Sequence, residues 1–117
     1  MVFCLLALDG LSGLIYHASM LAQDRWQNQD TTRLFEAILR LKTVPESEAF
    51  FRDLLTLSEL KEFANRFKVA RMLDDKKRKP YWQIAKEAKT TTATVTRVAH
   101  WLKEGMGGYQ LILNRLK

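Results

Sequence analysis

Between Tyr81 and His100 the chain reads YWQIAKEAKTTTATVTRVAH, and the spacing of small and apolar residues in that stretch allows few packings. Ala85, at the fifth place, is small enough for one helix to touch another. Ile84 and Ala88 share its side, and Val95 and Val98 recur at the same side of a following helical segment. Between them lies a short turn around Lys89 and Thr90. This pattern predicts a helix-turn-helix over 81–104, with the second helix presenting Thr91, Thr92, Thr94, Thr96 and Arg97. Short hydroxyls reach phosphates and base edges, and the guanidinium adds a two-pronged donor fork. Lys89 falls where the turn wants a left-handed residue, a place where glycine would be less strained by roughly 1 kcal/mol.

Charge is concentrated around the same segment. From Lys61 to Lys103 there are twelve Lys/Arg against four Asp/Glu, whereas residues 1–60 hold five against eight. That asymmetry is the electrostatic footprint expected of a phosphate-binding surface. The run Lys76-Lys77-Arg78-Lys79 directly precedes the motif, so Lys77 and Lys79 are expected phosphate contacts, with Gln83 on the first motif helix and Lys89 in the turn. The partner these features imply is double-stranded DNA. An RNA-binding protein using the same basic face is an alternative, with Tyr81 and Trp82 as its stacking platform. A dimer that interacts only with protein, its motif having lost the DNA role, is another.

Catalysis is not expected. Cys4 is the one cysteine, so no internal disulfide forms, and the two histidines, His17 and His100, have no second cysteine to complete a zinc set. There is neither a glycine-rich phosphate loop nor a nucleophile elbow. Glu46, Glu48 and Asp53 read as first-turn and surface charges of a short helix after Pro45. No cofactor and no metal follow from these residues.

The first 29 residues read as an N-terminal arm or a start-site extension, with Met20 as an alternative start. Met1 to Ala22 is apolar but carries Asp9, Gly10 and Gly13, with no Lys or Arg before Arg25. A secretory signal needs a positive start and a spanning helix needs about 20 uncharged residues, so no membrane segment is expected.

From residue 30 to 117 the punctuation is helical, and the expected class is all-α. Asp30 is expected to cap a helix from Thr31 to about Lys42, and Pro45 to open a short one containing Phe50, Phe51, Leu54 and Leu55. Ser58 is expected to cap the longest, to about Asp75, with Leu60, Phe63, Ala64, Phe67, Ala70 and Leu73 on its buried stripe. Pro80 stands before the first motif helix. Gly105, Gly107 and Gly108 end the second, and Tyr109 to Leu116 forms the last. Leu34, Phe35, Ile38, Phe50, Phe51, Ile112 and Leu113 are too many for one layer of short helices to cover. A homodimer with an intersubunit core is expected, presenting two reading helices about 34 Å apart to successive major grooves.

The segments LTLSELKEFANRFKVARML and YWQIAKEAKTTTATVTRV resemble the Trp repressor superfamily, and TTTATVTRV with the later LKEGMGGY resembles its YerC/YecD branch. The resemblance spans Asp30 to Leu116. It implies an intertwined all-helical homodimer that acts in the bacterial cytoplasm, on the nucleoid, as a sequence-specific transcriptional regulator, with repression as the expected sense. It also implies a candidate effector pocket. Arg66 and Arg97 match the two arginines that sandwich the indole in the true repressor, and Thr56 matches a further contact. Val98 stands where the repressor has a glycine, and Trp101 where it has a small hydroxyl residue. Both substitutions remove room, so tryptophan is not the expected corepressor.

Overall fold

The chain divides into two compact units between Ser47 and Glu48 in the computed structural model, which describes residues 25–117. The arm reading for residues 1–29, with Cys4 and His17, therefore lies almost wholly outside the described residues. Six helices and no strand occur among the described residues: α1 Gln29–Ile38, α2 Val44–Leu54, α3 Leu57–Leu73, α4 Tyr81–Ala88, α5 Thr92–Glu104 and α6 Gly108–Arg115.

Local capping chemistry moves several helix ends from their expected places. α1 is capped by Asn28, not Asp30: Thr31 N–H donates to Asn28 Oδ1 at 3.0 Å, and Asn28 N–H returns a bond to Thr31 Oγ1 at 2.9 Å. The same helix stops at Ile38, short of Lys42, because the chain tightens into three-residue bonds from Arg40 to Ala37 and from Leu41 to Ile38. Lys42 and Thr43 then serve the next helix. Lys42 N–H donates to Glu46 Oε1, and Glu46 N–H donates to Thr43 Oγ1, so α2 starts one residue before Pro45. α3 is capped by Thr56, not Ser58. Its hydroxyl accepts from Glu59 N–H at 3.1 Å while Glu59 Oε1 accepts from Thr56 N–H at 2.9 Å, a reciprocal box that supplies two orphan donors. These bonds from Thr56, backbone first, hold the Glu59 carboxyl below its ordinary value.

In the second unit, the core is the motif itself. Val69 and Ala70 of α3, Ile84, Ala85 and Ala88 of α4, and Val95 and Val98 of α5 form one buried cluster, with Met72, Leu73 and Tyr109 packed on its edge. Ala85 allows the close approach that its position predicted. The stripe expected on α3 is only partly right. Ala70 is buried, Leu60, Phe67 and Leu73 are half-buried, but Phe63 and Ala64 are exposed and the wholly buried Val69 was not in the set. Val69 and Ala70, in the last turns of α3, share one buried cluster with residues of α4 and α5, so burial there selects them over Phe63 and Ala64.

α1 and α2 contain no buried residue. Phe35 is 48% exposed, and Phe63, Leu111 and Ile112 are left open to a similar degree. Side chains of that size normally contribute about 1.5–3 kcal/mol each when buried, so this much open apolar surface is unusual for a lone soluble chain.

Candidate nucleic-acid interface

α4 and α5 are joined by a turn whose geometry follows from one residue. Lys89 adopts φ 56°, ψ 49°, the only left-handed non-glycine conformation among the described residues. Thr90 N–H then reaches back to Ala85 C=O at 2.9 Å and Lys89 N–H to Lys86 C=O at 3.2 Å, which satisfies the carbonyls at the end of α4. Replacing Lys89 by glycine should raise stability by about 1 kcal/mol by relieving the strain. If the ammonium also contacts phosphate, the same variant should bind duplex DNA more weakly. Opposite signs in melting and binding are the expected result; stabilisation with unchanged binding would show that Lys89 touches no phosphate.

The second helix starts from Thr91, whose extended backbone and side chain cap it: Thr94 N–H donates to Thr91 Oγ1 at 3.2 Å, and the two hydroxyls lie 3.2 Å apart. Thr94 is therefore half-buried and turned toward the cap, a more internal place than the display expected for it. Thr92, Thr96 and Arg97 are exposed: Arg97 lies opposite buried Val95, Val98 and Ala99, Thr96 lies to the side, and Thr92 is open because it is the first residue of the helix. His100 continues the row at the spacing Thr92, Thr96, His100 and is exposed beside them. His100, which completes no zinc set, is not among the expected contacts, although that four-residue spacing is visible in the sequence. Gly105 caps the C-terminus of the helix, and the position requires glycine because a Cβ there would collide with the Trp101 carbonyl oxygen.

Ahead of α4, the basic loop is held in two ways. Lys77 N–H donates to Asp75 Oδ1 at 3.1 Å, leaving its ammonium outward. Lys79, expected as a free phosphate contact, instead pairs with Glu87 at 2.8 Å, and Gln83 Nε2 donates to the other Glu87 oxygen at 3.0 Å. The Glu87 carboxyl is held below its ordinary value first by the bond from Lys79, then by that from Gln83. Among the described residues, no carboxylate lies within ion-pair distance of Lys77, Arg78, Lys89 or Arg97. These four cations are thus among those that remain for an outside anion.

The residues of the candidate effector pocket have separate settings. Thr56 caps α3. Arg66 bonds Glu62 at 3.0 Å, lies 5.9 Å from the Phe63 ring, and lines a cleft of about 240 Å³ with Phe63, Phe67 and Tyr109. Val98 belongs to the buried core, and Trp101 is 52% exposed with its ring edge-on to His100. Neither Thr56, Arg97, Val98 nor Trp101 lines that cleft.

Comparison with known proteins gives a consistent result. Residues 29–117 match the family model described as Trp repressor protein. The chain is 37% identical over 94 residues to the uncharacterized protein YerC of Bacillus subtilis strain 168, covering 80% of this chain and 88% of that protein. Crystal structures of a TrpR-like protein from Eubacterium eligens ATCC 27750 and of a putative Trp repressor from Staphylococcus aureus each superpose with a TM-score of 0.71, at 38% and 34% identity. Both cover 77% of this chain, and 91% and 88% of their own chains respectively.

Proposed function

Because the chain belongs to the Trp repressor family, with YerC among its relatives, we propose that it is a sequence-specific DNA-binding regulator that works as a homodimer and represses transcription. The observation that carries this reading is the outer face of α5. Thr92, Thr96 and Arg97 are presented to solvent on a helix that Val95 and Val98 lock into the core. A rigid helix of that kind reads base edges in the major groove, while Thr91, Lys77 and Lys89 contact the backbone and set its register. Half-exposed apolar side chains on α1, α2 and α6 supply the surface on which a second copy packs. Among the described residues no helix is long and apolar enough to cross a membrane.

The effector reading follows from volume. With Val98 locked into the core where the resemblance sets a glycine, and with neither Val98, Arg97 nor Trp101 lining the cleft beside Arg66, the protein binds DNA without free tryptophan. A ligand shifts an equilibrium only by its differential affinity for the two states. Titration with L-tryptophan to millimolar concentration should leave both melting temperature and DNA affinity unchanged. A tenfold gain in affinity would mean that about 1.4 kcal/mol of coupling survives and would overturn this part of the proposal.

One observation favours a second reading. Tyr81 and Trp82, 40% and 62% exposed, stand beside the basic loop and offer the stacking surface that single-stranded RNA recognition uses. Labelled duplex DNA and RNA of the same sequence, compared at two salt concentrations, separate the two. Tighter binding of the DNA duplex, with a steep salt dependence, supports the regulator. Preference for the single-stranded RNA overturns it, and weak binding of both with little salt dependence indicates a protein-interaction dimer.

A further inference from the structure

Lys79, Gln83 and Glu87 lie four residues apart along one side of α4 and its approach, and their polar groups converge on the Glu87 carboxylate. Each carboxylate oxygen has its own donor: the Lys79 ammonium at 2.8 Å on Oε1 and the Gln83 amide at 3.0 Å on Oε2. An anionic pair of oxygens accepting from an ammonium and an amide is chemically what a DNA phosphate would present to the same two donors. Building on the DNA-binding reading above, we propose that Glu87 is an internal phosphate surrogate that masks Lys79 and Gln83 and so suppresses sequence-independent binding.

The geometry gives the mask the right strength. Lys79 and Glu87 are 42% and 38% exposed, so solvent screens the pair and a backbone phosphate can reach the ammonium. Such a mask is exchangeable. A random duplex, held mainly by loop cations, must displace Glu87 with little else to gain. A correct site engages Thr92, Thr96 and Arg97 as well, which brings α4 down onto the backbone and completes the exchange. Discrimination then comes from a built-in competitor as well as from the reading helix. Glu87 acts through Lys79, and is therefore a positioning residue and not itself a DNA contact.

The test uses the full-length protein and a random-sequence duplex of about three helical turns. Glu87→Gln should bind it about five-fold more tightly, the size of one exposed ion pair, and should steepen the salt dependence by about one phosphate contact. Glu87→Asp keeps the charge but is too short to hold Lys79, and should give a smaller gain of the same sign. In a Lys79→Gln background both gains should vanish. If the Glu87→Gln gain persists there while Glu87→Asp has no effect, Glu87 acts by general repulsion and the proposal is overturned. A drop in melting temperature with unchanged affinity would also overturn it, by assigning Glu87 a merely structural role. Wild-type protein that binds no duplex removes the DNA reading itself; wild type that binds without any gain in the variants removes only this inference.

Discussion

Replacing Phe35 or Ile112 with Asp should abolish folding and not release folded monomers. In the single chain these side chains are 48% and 43% exposed, so a carboxylate there would meet water and cost within about 0.5 kcal/mol, as at an ordinary surface position. If a second copy covers them, the same carboxylate becomes buried and unpaired at a cost of several kcal/mol. That loss is comparable with the whole stability of a small domain. The two assemblies therefore predict opposite outcomes from one substitution. Loss of helical circular dichroism in both variants, together with a concentration-dependent melting temperature for the wild type, is the expected result. Sedimentation of a stable, fully helical monomer at micromolar concentration would refute the dimer.

Position along the chain decided what could be read from sequence. The helix-turn-helix was legible because its constraints are short-ranged: Ala85, Ile84, Ala88, Val95 and Val98 mark the inner faces of two helices within twenty residues, and all five are buried. Even the strain at Lys89 was visible, since the turn demands a left-handed residue whatever occupies it. Helix starts were harder. Ser58 and Thr56 are both good caps, and only the reciprocal bond to Glu59, three residues after Thr56, selects between them. On α3, helical periodicity allowed more than one apolar stripe, and where α4 and α5 cross it selects Val69 over Phe63.

Side-chain partners across the surface were least legible. Lys79 and Glu87 are eight residues apart, and nothing in a charge tally distinguishes a cation free for phosphate from one already spent on a carboxylate. The basic excess read from the sequence is consequently an upper bound on the charge available to an outside anion. Lys77, Arg78, Lys89 and Arg97 keep theirs, whereas Lys79 must first exchange a partner. That distinction matters for kinetics as well as affinity, because unpaired cations steer association while paired ones contribute only after contact.

Arg97 and Lys77 should then fail in different ways. Arg97 projects from the exposed face of α5 beside Thr96, where a guanidinium can take two acceptors on one guanine. Its replacement by Ala should weaken binding to a duplex selected from a random pool by about 1–3 kcal/mol, and should relax preference at one base pair. Lys77 sits in the loop before α4 with its backbone fixed by Asp75 and its ammonium free. Lys77→Ala should weaken selected and random duplexes alike, and lower the salt slope by about one. Measuring each variant on both duplexes at several salt concentrations separates base reading from phosphate contact without knowing the natural operator. If the two variants lose the same affinity on both duplexes with the same change in slope, Arg97 is a phosphate contact, and sequence discrimination must come from the threonines of α5 or from the shape of the DNA.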